Sequence, residues 1–243
     1  MRIIPVRGVI ERRLLVIYRL DPDVAKGLLP APFRTRLTSG YAVAGIALAH
    51  LGRLRPAGLP PVTGLSRESA THGIAVEWES PRSLHTGVFV VHRDSAGTVP
   101  GRHFRRAPMF TVEERTDGLR VAYSSRDRAV QVDVDVSLAT ALEGSALFRD
   151  VRAAARFLEL DGANRAAGAA WTPQPRGIKL SAGDGCISAA RVRTAASSIF
   201  ANTSVFPPGS VHLDSALVLR DLALAPAQPE RVRGARRAAP NLA

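Results

Sequence analysis

The chain has 243 residues, with 33 Lys and Arg against 21 Asp and Glu for a formal charge of +12, and it is 46% hydrophobic and 22% charged. Those proportions are globular and exclude global disorder, a collagen-like repeat and a coiled coil. Only Lys26 and Lys179 are lysines, so the excess charge is arginine scattered from Arg2 to Arg237, and with aromatics at 5% it does not describe a specific nucleic-acid reader.

A single cysteine, Cys186, permits no intrachain disulfide and no Cys-based zinc site, which fits a reducing cytoplasm. Arg2, Arg7, Glu11, Arg12 and Arg13 interrupt the region where a secretory signal needs an apolar stretch. The longest nearly apolar run, Tyr41 to Leu51, is about half of the ~20 residues that a spanning helix requires, so no membrane segment is expected.

In chain order, Leu14 to Tyr18 is an apolar run of β-formers leading into Asp21-Pro22, a helix start, and a short helix follows from Pro22 to Leu29. Pro30 and Pro32 end it. Tyr41 to Leu54 reads as a strand, and Gly73 to Glu79 and Thr86 to Arg93 as two more, joined as a hairpin. Phe110 to Arg115 and Leu119 to Ser124 flank the turn signal Asp117-Gly118, and Ala129 to Val136 alternates valines with Gln131, Asp133 and Asp135. One amphipathic helix is predicted after Ser145, a plausible N-cap, with Leu147, Phe148, Val151, Ala154, Ala155 and Leu158 at helical spacing. Ile187 to Val192 and Val211 to Leu219 read as strands. The domain is expected to span residues 1–224, and residues 225–243 a basic disordered tail.

Chemistry-bearing groups are sparse. The six histidines are His50, His72, His85, His92, His103 and His212, and none has metalloprotease spacing; strict alternation puts His85 and His92 on opposite faces, so no metal site is expected. Cys186, entering a strand, reads as a small buried hydrophobe. His92-Arg93-Asp94 and the loop Gly101-Arg102-His103-Phe104-Arg105-Arg106 gather imidazole, guanidinium and carboxylate groups suited to holding a carboxylate or enolate; the bland alternative is a solvated arginine loop. Glu77, beside Trp78, shares a strand face with Ala75 and Glu79 and is either a desolvated acid–base group or an exposed carboxylate.

Several runs carry a resemblance: Arg12 through Pro22, Leu28 through Arg34, Gly40 through Ile46, Leu51 through Pro56, Ile74 through Trp78, and Gly87 through Val90 with Arg93-Asp94. Ser145 through Phe148, Ser197 through Phe200, Phe206 through Ser210 and Leu217 through Asp221 extend it. Over residues 8 to 223 the chain resembles the domain of unknown function 2071 family of the acetoacetate decarboxylase-like superfamily. The resemblance implies a mainly β (α+β) single domain, an antiparallel barrel-like fold with a few short helices and an internal apolar cavity. Acetoacetate decarboxylases form a Schiff base through a lysine in a Pro-Lys-Lys loop. The matching loop here, Gly101 to Arg106, has no lysine, and a guanidinium stays protonated, so that chemistry lacks its key residue. The family's glutamate falls near Gly73 rather than Glu77.

The resulting expectation is a cytoplasmic protein, without cofactor, that binds a small carboxylate or carbonyl compound. Arg93, His103 and Arg105 hold the ligand with Trp78 and His92 nearby, and acid–base chemistry runs through His103 or Glu77. A barrel that has lost catalysis and serves as a ligand sensor, or is filled by side chains, is the alternative. The edge strands and arginine-rich surface are compatible with a monomer or a homo-oligomer.

Overall fold

A computed structural model describes residues 6–56, 60, 64–80, 83–97, 108–158, 163–164, 166–168, 178–181 and 186–226. In chain order the elements are β1 (Val6–Leu20), α1 (Pro22–Leu28), β2 (Arg34–Thr35), β3 (Leu37–Thr38), β4 (Tyr41–Pro56), β5 (Leu65–Ser80), β6 (Ser83–Gly97), β7 (Met109–Arg115), β8 (Gly118–Ser124) and β9 (Gln131–Ala139). Then follow α2 (Val151–Phe157), β10 (Ala163–Asn164), β11 (Ala166–Gly168), β12 (Ile178–Ser181), β13 (Cys186–Ser197) and β14 (Val211–Pro226). The fold is mainly antiparallel β with two short helices, as the sequence predicts.

The strands form one sheet in the order β11-β6-β5-β4-β1-β14-β13-β9-β8-β7, antiparallel except for β11 on β6. Hydrogen bonding does not close this path into a barrel. The sheet folds over on itself instead, and side chains join its halves: Arg12 of β1 donates to Glu68 of β5 at 2.8 and 3.0 Å and to Glu114 of β7 at 3.0 Å. Between the halves lies the main core, with Leu14 and Val16 from β1, Ile46 and Leu48 from β4, and Val121 and Val134 from β8 and β9.

The other face of β1 and β4 is covered as well. There Leu15, Ile17, Val43 and Leu217 pack against Leu147, Phe148, Ala154 and Ala155. A central strand buried on both faces explains the near-continuous apolar run of Leu14 to Tyr18.

The second helix starts later than its N-cap prediction. Ser145 Oγ donates to Asp214 at 2.6 Å, the Ala146 amide donates to the same carboxylate at 2.9 Å, and the Phe148 amide donates to Ser145 Oγ at 3.0 Å. That local network holds a turn, and Asp150, accepting from the Ala153 amide at 2.6 Å, caps the helix instead. Cys186, expected to be buried, is exposed at the first residue of β13, where side-chain burial has not yet begun. Strand β14 continues to Pro226, past the expected domain end, by pairing with β12.

Candidate functional site

On the α2 side of the sheet, β1, β4, β5 and β6 curve around a cavity of about 300 Å³. Cross-strand register sets its walls in rows. One row is Leu15, Ala47, Thr71 and Arg93, the next is Arg13, Ala49, Ser69 and Ser95, and a third brings in Leu51 and Arg67. In the opposite direction come Ile17, Gly45, Gly73 and Val90, and then Ala75 with Val88. One end of the cavity is therefore cationic and hydroxylated, and the other is apolar.

Two β-bulges create this arrangement. On β6 the register passes from His72 opposite His92 to Gly73 opposite Val90, so Val91 is an extra residue. Without it, Arg93 would share the face of Phe89; with it, Arg93 and Ser95 join Val88 and Val90 on the cavity face. On β1 the pairing with β4 passes from Ile10 opposite Leu51 to Arg12 opposite His50, leaving Glu11 extra. This places Ile10, Arg13 and Leu15 together on the cavity side, and Arg12 on the core side. Gly73 belongs to the wall because a Cβ there would lie 2.3 Å from Val88 Cγ1.

The electrostatics are one-sided. Arg93 Nε donates to Thr71 Oγ1 at 3.3 Å. Among the described residues, no carboxylate pairs with Arg13, Arg67 or Arg93. Burial, with the like charge of Arg93 added, pushes the Arg13 guanidinium down to about 10, and burial lowers Arg93 as well. Both remain protonated at neutral pH, so the cavity presents two unneutralised cations, Arg13 partly buried and Arg93 at the exposed edge, next to the hydroxyls of Ser69, Thr71 and Ser95. Such a site favours an oxyanion, which would accept charge-assisted hydrogen bonds and relieve the repulsion.

Of the residues expected from sequence, Arg93 lines this cavity. Glu77 lies on the cavity-side face one row beyond Val88, its carboxylate 3.8 Å from Arg34 Nε, and it is not part of the lining. Trp78 is on the opposite face, buried against Phe33 at 5.5 Å between ring centroids and against His85 at 5.6 Å. His92 is also on that face. The Val91 bulge overturns the expectation that His85 and His92 point apart: their partners Trp78 and His72 share one face of β5, though six residues separate them. His103 and Arg105 lie outside the described residues. Arg13, Arg67 and Thr71 were missed; the signal for Arg13 is the pair Arg12-Arg13 entering a strand covered on both sides, which must bury one guanidinium on each face.

A second polar cluster sits across β6. His92 Nε2 is 3.0 Å from Tyr123 Oη, which donates to Asp94 at 2.5 Å. Behind them His72 is fully buried, with Nε2 3.1 Å from Ser197 Oγ, and burial with the neighbouring His92 pushes it down to about 3. It is neutral at physiological pH. Among the described residues no group of three His, Cys, Asp or Glu side chains is placed to hold a metal ion.

Solved structures share this fold. The enduracididine biosynthesis enzyme MppR complexed with pyruvate aligns with a TM-score of 0.56 at 15% identity, covering 95% of this chain and 91% of that one. An acetoacetate decarboxylase-like enzyme from Sphingomonas wittichii RW1 aligns at 0.52 and 13% identity, covering 95% and 94%. The acetoacetate decarboxylase from Legionella pneumophila subsp. pneumophila str. Philadelphia 1 aligns at 0.51 and 12% identity, covering 93% and 87%. No family model and no curated protein matches the sequence. The chain has the acetoacetate decarboxylase-like fold, and at these identities the likeness establishes the fold alone. Among the described residues no helix is long and apolar enough to cross a membrane.

Proposed function

We propose that the chain binds a small carboxylate or carbonyl compound in the β1-β4-β5-β6 cavity, with Arg13 and Arg93 as the anion-binding pair. The observation that carries this reading is the convergence of two unneutralised guanidiniums in one largely apolar cavity of about 300 Å³, a volume within the range of small-molecule sites. A ligand oxyanion supplies the missing countercharge. Thr71, Ser69 and Ser95 add hydroxyls that orient it. The pyruvate held by the structural neighbour MppR is the kind of ligand this reading expects.

The described lining contains guanidinium and hydroxyl groups and no amine, so its residues bind and polarise: a guanidinium on a carbonyl or enolate oxygen stabilises developing negative charge. Proton transfer in this reading is carried by His103 or by Glu77, which lies on the cavity-side face of β5 with its carboxylate 3.8 Å from Arg34 Nε. Cytoplasmic location and membership of the domain of unknown function 2071 family belong to the same reading and rest on the sequence pattern, which is compatible with a monomer or a homo-oligomer.

The test is isothermal titration of pyruvate and butyrate into the wild type and into Arg13→Met and Arg93→Met. Each charge-assisted hydrogen bond contributes about 1.5–3 kcal/mol, so each variant should bind at least tenfold more weakly. Unchanged affinity in both variants would refute the site.

A further inference from the structure

The cavity has a direction, and the direction selects a ligand shape. Arg67, Arg93 and Ser95 are the exposed members of the lining, so the cationic end is the mouth. At the other end Ile17, Val43, Ala75 and Val90 are buried. Helix α2 closes that end: Leu15, Ile17, Val43 and Ala75 share a cluster with Phe148, Ala154 and Ala155, and Leu158, the residue after the helix, lines the cavity. Successive rows on one face lie roughly 7 Å apart along a strand, so the apolar floor runs roughly 14 Å from the row of Arg93 to the row of Val88. Gly45 and Gly73 lie opposite each other in the row between; Val88 Cγ1 covers Gly73, and Gly45 leaves its part of the floor without a side chain.

A short keto acid would fill only the mouth and leave the apolar end in contact with water. We propose that the natural ligand is an amphipathic monocarboxylic acid, its carboxylate held at the mouth by Arg13 and Arg93 and its apolar body lying inward over Gly45 and against Val88 toward α2. This rests on the carboxylate-binding reading above and adds the substrate class. The depth of the cavity, rather than the arginines, then discriminates between acids.

The experiment titrates butyrate, hexanoate, octanoate and the neutral analogue hexan-1-ol into the full chain and into Ala47→Phe. Ala47 lies in the row of Thr71 and Arg93, so a phenyl ring there blocks the passage from the mouth to the apolar floor. Each buried methylene is worth about fourfold in affinity, which predicts octanoate binding roughly two hundredfold tighter than butyrate. In Ala47→Phe the ratio of octanoate to butyrate affinity should collapse from roughly two hundredfold to near one, with the melting temperature of the free variant confirming that it is folded. Butyrate and octanoate binding equally to the wild type would overturn the amphipathic assignment and leave the carboxylate site standing. Hexan-1-ol binding as tightly as hexanoate would overturn both.

Discussion

Replacing Arg13 by methionine should make the ligand-free protein more stable while weakening carboxylate binding. The guanidinium is pushed down to about 10 because folding takes it out of water and brings it near Arg93. Taken at face value that is roughly 3 kcal/mol by which the charged group opposes folding. The cavity is open at its mouth, and solvent screening reduces the gain expected from Arg13→Met to about 1–2 kcal/mol. For a chain of this size that is a rise in Tm of roughly 2 to 8 °C, read by calorimetry on ligand-free protein at pH 7. The sign with pH follows from the direction of the shift. Below about pH 10 the folded and unfolded chains both carry the proton, so the difference between variant and wild type should be flat from pH 6 to 9. Above pH 10 the folded wild type sheds its proton first, and the penalty shrinks. A fall in Tm in Arg13→Met would show that a carboxylate of the chain itself neutralises Arg13, and the site argument would fail. The trade of stability for an unneutralised charge is the usual mark of a binding group.

Two further predictions concern the sheet itself. His72 is held neutral down to about pH 3, whereas the unfolded chain takes up a proton near 6.5, so stability is lost as pH falls through that window. Between pH 7 and 4.5 this site should cost about 2–3 kcal/mol in urea unfolding; His72→Leu should remove that share of the acid dependence, and an unaltered dependence would refute the burial argument. Arg12→Met removes the buried guanidinium that ties Glu68 to Glu114, which keep only His50 and Arg220, and should cost about 2 kcal/mol. A loss below about 1 kcal/mol would mean that apolar packing alone holds the sheet folded over.

The strands were legible because their residues alternate or run apolar in ways that a pleated sheet imposes. The valine alternation expected from Ala129 to Val136 forms β9 from Gln131 on, with Val121 pairing Val134, whereas the turn expected at Asp117-Gly118 falls one residue earlier, at Thr116-Asp117, because Gly118 already pairs with Arg115. The second helix was misplaced at its start because Ser145 has two competing uses, and only its distance to Asp214 decides between them. The candidate site was legible in part. Arg93 could be singled out by residue type, yet alternation along β6 assigns it to the face of Phe89 and His85. His92 and Asp94 stand beside it in sequence but on the other side of the sheet, where they meet Tyr123 from β8.

Length, composition and periodicity determined a globular, mainly antiparallel β chain with short helices, because burial of alternate side chains is a local property of a strand. The cavity was decided by tertiary structure. Its walls come from four strands, its inner end is closed by a helix more than fifty residues further along the chain, and Arg13 and Arg93 reach it because Glu11 and Val91 bulge. A bulge is a mismatch between two strands, so it has no signature in either strand alone. One extra residue changes which face every later side chain occupies, and here that step decides whether Arg93 faces the cavity or the core.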